Sequence, residues 1–230
     1  MNETQEQAVF ITQQIMQELF SDKGRALVYS ESNRLAVPIG ISNRHVHLSR
    51  EDMDVLFGCG ASLTRFKAVK QPGQFAAEEV VTIRGSKGEI AHVRVLGPLR
   101  TQTQIEISVA DSFKLGVKAP LRMSGDLEGS SGVDIIGPRG QVTKNEGTII
   151  AWRHIHISPR DAELYGLSDG MEIDMANDGN RGGIFRHVVV RVSSDAVAEM
   201  HIDVEEANGL GVKNGDFMYR CITDDAYEQN

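Results

Sequence analysis

The chain has 230 residues, of which 40% are hydrophobic, 24% charged and 6% aromatic, with a formal net charge of −8. That balance fits one large or two small globular domains, and its acidity excludes an ordinary nucleic-acid binder, whose footprint would be basic. No apolar run is long enough to span a membrane and no secretory leader is evident, while the two cysteines, Cys59 and Cys221, lack a CxxC spacing and fit a reducing cytoplasm.

Residues 4–20, TQEQAVFITQQIMQELF, carry the first predicted element. Thr4 and Gln7 have capping-box spacing, and Ala8, Ile11, Ile15, Met16 and Leu19 form one apolar arc at helical period. The segment reads as a short amphipathic helix. A turn-rich linker follows and ends near residue 36. Such a helix either packs on its own domain or docks on a partner through the same arc.

From Val37 the chain reads as short β-strands. VPIGI, EVVTIRG, EIAHVRVLG, TQIEISV, GTIIAW, MEIDMA, HVVVRV and EMHIDV are rich in β-branched residues and bounded by turn formers. Many short strands with Gly and Pro turns favour barrels or sandwiches. His92 and His187 fall in alternating stretches and read as ordinary strand residues. Cys59 and Cys221 read as small buried hydrophobes.

One motif occurs twice. RHVHLSRED at 44–52 matches RHIHISPRD at 153–161 in Arg, both His, Ser and Asp. Ser49 and Ser158 stand at helix N-cap positions, with Asp52 and Asp161 three residues on and Pro159 in the first turn. Each copy therefore reads as strand, cap and short helix. A second anchor, LGVK, occurs at 115–118 and 210–213 and aligns Glu106 with His201. The first copy is longer between these landmarks, and the surplus is assigned to FKAVKQPGQF at 66–75. The expectation is a duplicated β domain with one insertion.

Residues i and i+2 of a strand share a face. His45 with His47, and His154 with His156, thus each present two imidazoles together. The repeat supplies a third donor to each pair, Glu106 to the first and His201 to the second. Three protein donors with an open fourth position are the pattern of catalytic zinc; cobalt or iron would bind similar sets. Hydrogen-bonded core histidines are the plain alternative. Arg100, six residues before Glu106, is either an anion-binding group or one half of a surface ion pair. Arg44 and Arg153 point away from the adjacent histidines and take structural roles. GDLEGSSGVDIIGPRG at 125–140 is Gly-rich but matches no phosphate loop, and reads as a connection.

VPIGISNRHVHLS, KQPGQFAAEEVVTI, GPLRTQTQIEIS, RMSGDLEGSSG and RHIHISPRDAELYGL, in this order, closely resemble the propanediol-utilisation type phosphotransacylase (phosphate propanoyltransferase) family, over roughly residues 36–222. The resemblance implies the reaction of a short-chain acyl-CoA, such as propanoyl-CoA, with phosphate to give acyl phosphate and CoA. It implies two similar closed β-barrel domains with short capping helices, two zinc ions per chain and a homodimer. His45, His47 and Glu106 would hold the first zinc, leaving a position for the CoA sulfur. His154, His156 and His201 would hold the second. Arg100 would bind phosphate catalytically, with Gln74 and Ser124 nearby. Residues 1–36 would be a targeting helix and linker, directing the chain into a bacterial microcompartment of the cytoplasm through shell or cargo proteins. Residues 37–43 would cross into the second barrel, 44–152 would form the first barrel and 153–222 the second. A dizinc thioesterase and a non-enzymatic metal-binding docking module are the alternatives; neither needs nucleic acid or membrane.

Overall fold

The computed structural model describes residues 34–221. The amphipathic helix expected over 4–20 lies outside them. Contacts divide the chain into two compact units. One comprises the chain up to Gly40, His154–Met200 and the chain from Lys213; the other comprises Ile41–Arg153 and His201–Val212.

The fold is mainly β, with four short helices among the described residues. The first stretch runs β1 (Ala36–Ser42), β2 (His45–His47), α1 (Arg50–Phe57), β3 (Arg65–Ala68), β4 (Phe75–Arg84), β5 (Glu89–Gly97), β6 (Gln104–Glu106) and α2 (Val109–Leu115). Four strands follow: β7 (Leu121–Arg122), β8 (Asp134–Ile136), β9 (Gln141–Thr143) and β10 (Thr148–Ala151). The remainder is β11 (His154–Ile157), α3 (Pro159–Leu164), β12 (Glu172–Asn177), β13 (Gly183–Val192), β14 (Glu199–Asp203), α4 (Val204–Leu210) and β15 (Phe217–Arg220).

Six strands close into a barrel in the order β1-β14-β11-β13-β12-β15. Closure comes from β1, whose Val37 pairs with Met218 of β15. The other nine strands form a sheet in the order β7-β10-β6-β2-β5-β4-β8-β9, with β3 paired to β4. This corrects the expectation of two closed barrels: the second sheet is curled and open. Its end strands are too short to meet. β7 has two residues and pairs only with β10, and β9 is the outer arm of a hairpin with β8. Helix α1 covers that hairpin instead, where the Arg139 N–H donates to the Leu56 carbonyl at 3.0 Å. The approach demands glycine: a Cβ on Gly137 would lie 2.5 Å from the Leu56 oxygen.

A common pattern runs through both sheets. The order β6-β2-β5-β4 in one matches β14-β11-β13-β12 in the other. β2 runs parallel to β5, and β11 runs parallel to β13. Val46 and Ile105 are fully buried in the open sheet's core, as Ile155 and Met200 are in the barrel strands. Burying such side chains stabilises by about 1.5–3 kcal/mol each. Strand alternation then sends their neighbours, the histidines and Glu106, to the opposite face.

The caps read from sequence are present. The Ser49 and Ser158 side chains accept from the N–H groups of Asp52 and Asp161. Two full capping boxes start α2 and α4, Ser108 with Asp111 and Asp203 with Glu206. Arg44 pairs with Asp111 at 2.7 Å and Arg153 with Glu206 at 3.0 Å. Each arginine beside an HxH pair thus ties down the helix that follows the third donor, which is the structural role expected of it.

Two expectations fail locally. His92 and His187 are not ordinary strand residues: both hold left-handed backbone, φ 58° and 57°. Each sits where the ladder slips, β4 against β5 between Val81 and Ile83, and β12 against β13 between Ile173 and Met175. A bulge leaves one residue unpaired, and the αL conformation absorbs it. Cys59 is exposed, not buried, and Cys221 is half-buried. The Gly58-Cys59-Gly60 turn, with both glycines at positive φ, carries the first thiol to the surface.

Candidate metal centres and the adjoining anion site

β2 and β6 pair antiparallel, with His45 opposite Glu106, Val46 opposite Ile105 and His47 opposite Gln104. Odd and even positions face opposite ways, so His45, His47, Gln104 and Glu106 share the face away from the core. The donor atoms of His45, His47 and Glu106 all lie within 4.8 Å of one another. Those of His154, His156 and His201, on the neighbouring barrel strands β11 and β14, do the same.

The finer spacing tests whether these sets fit a metal. Zinc with bonds of about 2.0–2.1 Å in tetrahedral geometry needs donors about 3.3 Å apart. His45 Nε2 and Glu106 Oε2 are 3.4 Å apart, and His154 Nε2 and His156 Nε2 are 3.1 Å apart. The paired rings stand nearly perpendicular, at 87° and 83°. His45 Nδ1 meets the Asn43 carbonyl at 2.8 Å, which leaves Nε2 as the donor for a metal. The buried Nδ1 of His47 has no hydrogen-bond partner, an arrangement that is costly unless another group satisfies the ring. Both triplets therefore fit a divalent metal.

Electrostatics acts differently on the three donors of the first triplet. Burial opposes a charge on His45, but the adjoining Glu106 carboxylate and the Asn43 carbonyl outweigh it and raise its pKa. Burial, with the charges of His45 and Arg100, pushes His47 down to about 3. Burial alone would raise Glu106, yet His45, His47 and Arg100 hold it below the usual carboxylate range. Glu106 is thus held as the carboxylate and His47 as the neutral imidazole, while His45 would have to give up its proton to bind a metal.

Arg100 adjoins this triplet, since its charge acts on all three donors. Its backbone N–H donates to the Leu48 carbonyl at 2.9 Å, one residue beyond the HxH strand. Its Nη1 donates to Ser124 Oγ at 3.1 Å. Arg100 also lines a cleft of about 730 Å³ with Ser49, Thr103 and Lys144. Lys144 is held by Asp52 at 2.9 Å. Gln74 lies in the turn before β4, where its N–H donates to Gln71 and its carbonyl accepts from Val69. These contacts fix its backbone only.

Gln104 was not singled out by the sequence. It is 1% exposed, and its side-chain amide joins Glu106, Ser124 and the Gly125 N–H. The available signal was its place two residues before Glu106, on the same face of the strand.

Comparison with known proteins gives the family. The family model described as phosphate propanoyltransferase matches residues 38–213. A phosphate propanoyltransferase of Rhodobacter capsulatus is 59% identical over 185 residues, covering 80% of this chain and 86% of its own. One of Thermotoga maritima is 53% identical over 182 residues, covering 79% and 87%. One of Salmonella typhimurium is 47% identical over 196 residues, covering 85% and 93%. This chain belongs to the phosphate propanoyltransferase family of acyltransferase enzymes.

Proposed function

We propose that this chain transfers a short-chain acyl group, with propanoyl as the representative, between CoA and inorganic phosphate. The observation that carries the reading is a pair of three-donor sets at metal-ligand spacing, one of them beside Arg100 and Ser124. His45, His47 and Glu106 hold one zinc, and His154, His156 and His201 hold the other. When bound, the metal supplies Lewis-acid stabilisation of the thioester oxygen or of the departing thiolate.

The chain's own groups do the rest. Arg100 binds phosphate through its guanidinium, which matches an oxyanion with two parallel donors. Ser124 adds a hydroxyl, and Gln74 closes the site from the turn before β4. His45 and His47 are 7% and 2% exposed, so water is largely excluded from the face where phosphate attacks. Holding phosphate and thioester together contributes through proximity. No acyl-enzyme is needed, and Cys59 and Cys221 take no part. Phosphate attacks the thioester carbon directly, the C–S bond breaks, and CoA leaves as its thiolate.

The shared strand order, paired bulges and paired Arg–acid ties support descent of the two sheets from one duplicated unit. His92 precedes Glu106 by the same 14 positions that separate His187 from His201, so the surplus of the first copy lies before the bulge. On this reading the chain comprises a segment 1–36, a crossing strand 37–43, and copies over 44–152 and 153–222. The segment 4–20 serves as a targeting helix toward microcompartment shell or cargo proteins, and the working form is a homodimer in the cytoplasm. Among the described residues no helix is long and apolar enough to cross a membrane.

The test is release of free thiol from propanoyl-CoA with and without phosphate. Release that requires phosphate and yields one acyl phosphate per thiol supports the proposal. Equal release without phosphate supports a dizinc thioesterase, and no release at all supports a non-enzymatic module.

A further inference from the structure

Ser124 Oγ receives two hydrogen bonds, from Gln104 Nε2 at 2.9 Å and from Arg100 Nη1 at 3.1 Å. Both neighbours are obligate donors. A hydroxyl has two acceptor sites and one proton, so these bonds use up its lone pairs. Its proton must go to a third group, and among the described residues none takes it. The amide of Gln104 cannot turn over to relieve this. Its Oε1 accepts the Gly125 N–H at 2.8 Å, and its Nε2 also donates to Glu106 Oε1. A flip would set oxygen against the carboxylate and nitrogen against the N–H.

We propose that Gln104 is a positioning residue that holds the Ser124 hydroxyl as a hydrogen-bond donor toward an oxygen of phosphate, and holds Glu106 with a single oxygen, Oε2, turned to His45. This rests on the reading of the chain as a phosphate acyltransferase. Arg100 and Ser124 then present two donors to one anion, and no acceptor of the pair faces it. An acceptor there would repel phosphate. The second consequence concerns Glu106. With Oε1 engaged by Gln104, the carboxylate offers one oxygen to a metal rather than two, which keeps a coordination position open. The residue in the equivalent place of the other triplet, two positions before His201, is Glu199, which has no amide to donate. The device therefore belongs to the first triplet alone.

The test is a double-variant cycle in the zinc-loaded full chain, with rates measured against phosphate and against propanoyl-CoA. Zinc content and melting temperature are recorded for each protein. Gln104→Met keeps the length of the side chain and removes all three bonds. Ser124→Ala removes the hydroxyl. Each is expected to raise the phosphate KM about tenfold and to leave the propanoyl-CoA KM within about twofold. The double variant is expected to show a phosphate KM no higher than Ser124→Ala alone, because Gln104 acts through Ser124. A phosphate KM unchanged in Gln104→Met, or effects that multiply in the double variant, overturns the inference. Should Gln104→Met not fold, Gln104→Glu keeps the acceptor for the Gly125 N–H, removes both donated bonds and carries the same expectation. A wild-type chain that releases CoA without phosphate overturns the function and this role with it. A phosphate-dependent wild type with an unmoved KM in the variants overturns this role only.

Discussion

The β2/β6 triplet and the β11/β14 triplet stand on the same local scaffold and differ in one donor. Glu106 contributes a carboxylate to the first set, while His201 makes the second all imidazole. Bound to the same divalent ion, the first is one charge unit less positive than the second. With a metal bound, the all-imidazole set would attract an anion such as phosphate more strongly, and the carboxylate-bearing set would release an anionic ligand more readily. On the proposed reading, this difference at the third position would let the two sets divide the work. The first is expected to meet the CoA sulfur, and the second to support the phosphate side.

The largest effects should come from removing a donor. His47→Ala and Glu106→Ala are expected to lower bound zinc from two per chain to one and cut turnover by ~10³-fold or more. His201→Ala should lower zinc equally, with the loss weighted toward phosphate KM. Metal analysis with steady-state kinetics checks both, and identical kinetic signatures from the two triplets would break the division of labour. Exchanging the third donor is subtler. Glu106→His gives the first triplet the donor types of the second, and should keep its zinc while costing about 10–100-fold in turnover. Full activity in that variant would show that the charge difference is idle.

Arg100→Ala should raise the phosphate KM by about 10–100-fold and spare the KM for acyl-CoA. An unmoved phosphate KM would remove Arg100 from the site. Arg44→Ala and Arg153→Ala, which release the equivalent helices α2 and α4, should each cost about 1 kcal/mol, read as a few degrees in melting temperature. A large asymmetry between them would separate the two copies. The smallest effect concerns Glu206. Burial raises its pKa above the usual 4.5, more than the Asp203 N–H and Arg153 lower it. The folded chain therefore holds this proton more tightly than the unfolded one. Its contribution is full at low pH and is lost as pH rises from about the ordinary carboxylate value through the raised one. Glu206→Gln should flatten the melting temperature across that window.

Much of the site was legible because strands write their faces at a period of two. The HxH pairs announced themselves, and the LGVK anchors located Glu106 and His201 without any structural knowledge. Gln104 escaped because its counterpart is Glu199, so a search for identical residues passes over it. The openness of the larger sheet was not legible. Closure depends on whether end strands are long enough to meet, and β7 is two residues within an otherwise irregular stretch. The left-handed conformations of His92 and His187 were hidden because alternation is silent about bulges, although their equal distance from the third donors was a usable signal. The exposure of Cys59 was written in its two flanking glycines, which mark a surface turn more strongly than cysteine marks a core.

The most direct test is a zinc titration of the metal-free chain. Thiol release from propanoyl-CoA is followed with and without phosphate. The account predicts no release in the absence of zinc, a rate that reaches its maximum only near two zinc equivalents per chain, and none at any zinc level when phosphate is omitted. Full activity without zinc, or release that ignores phosphate, would contradict it.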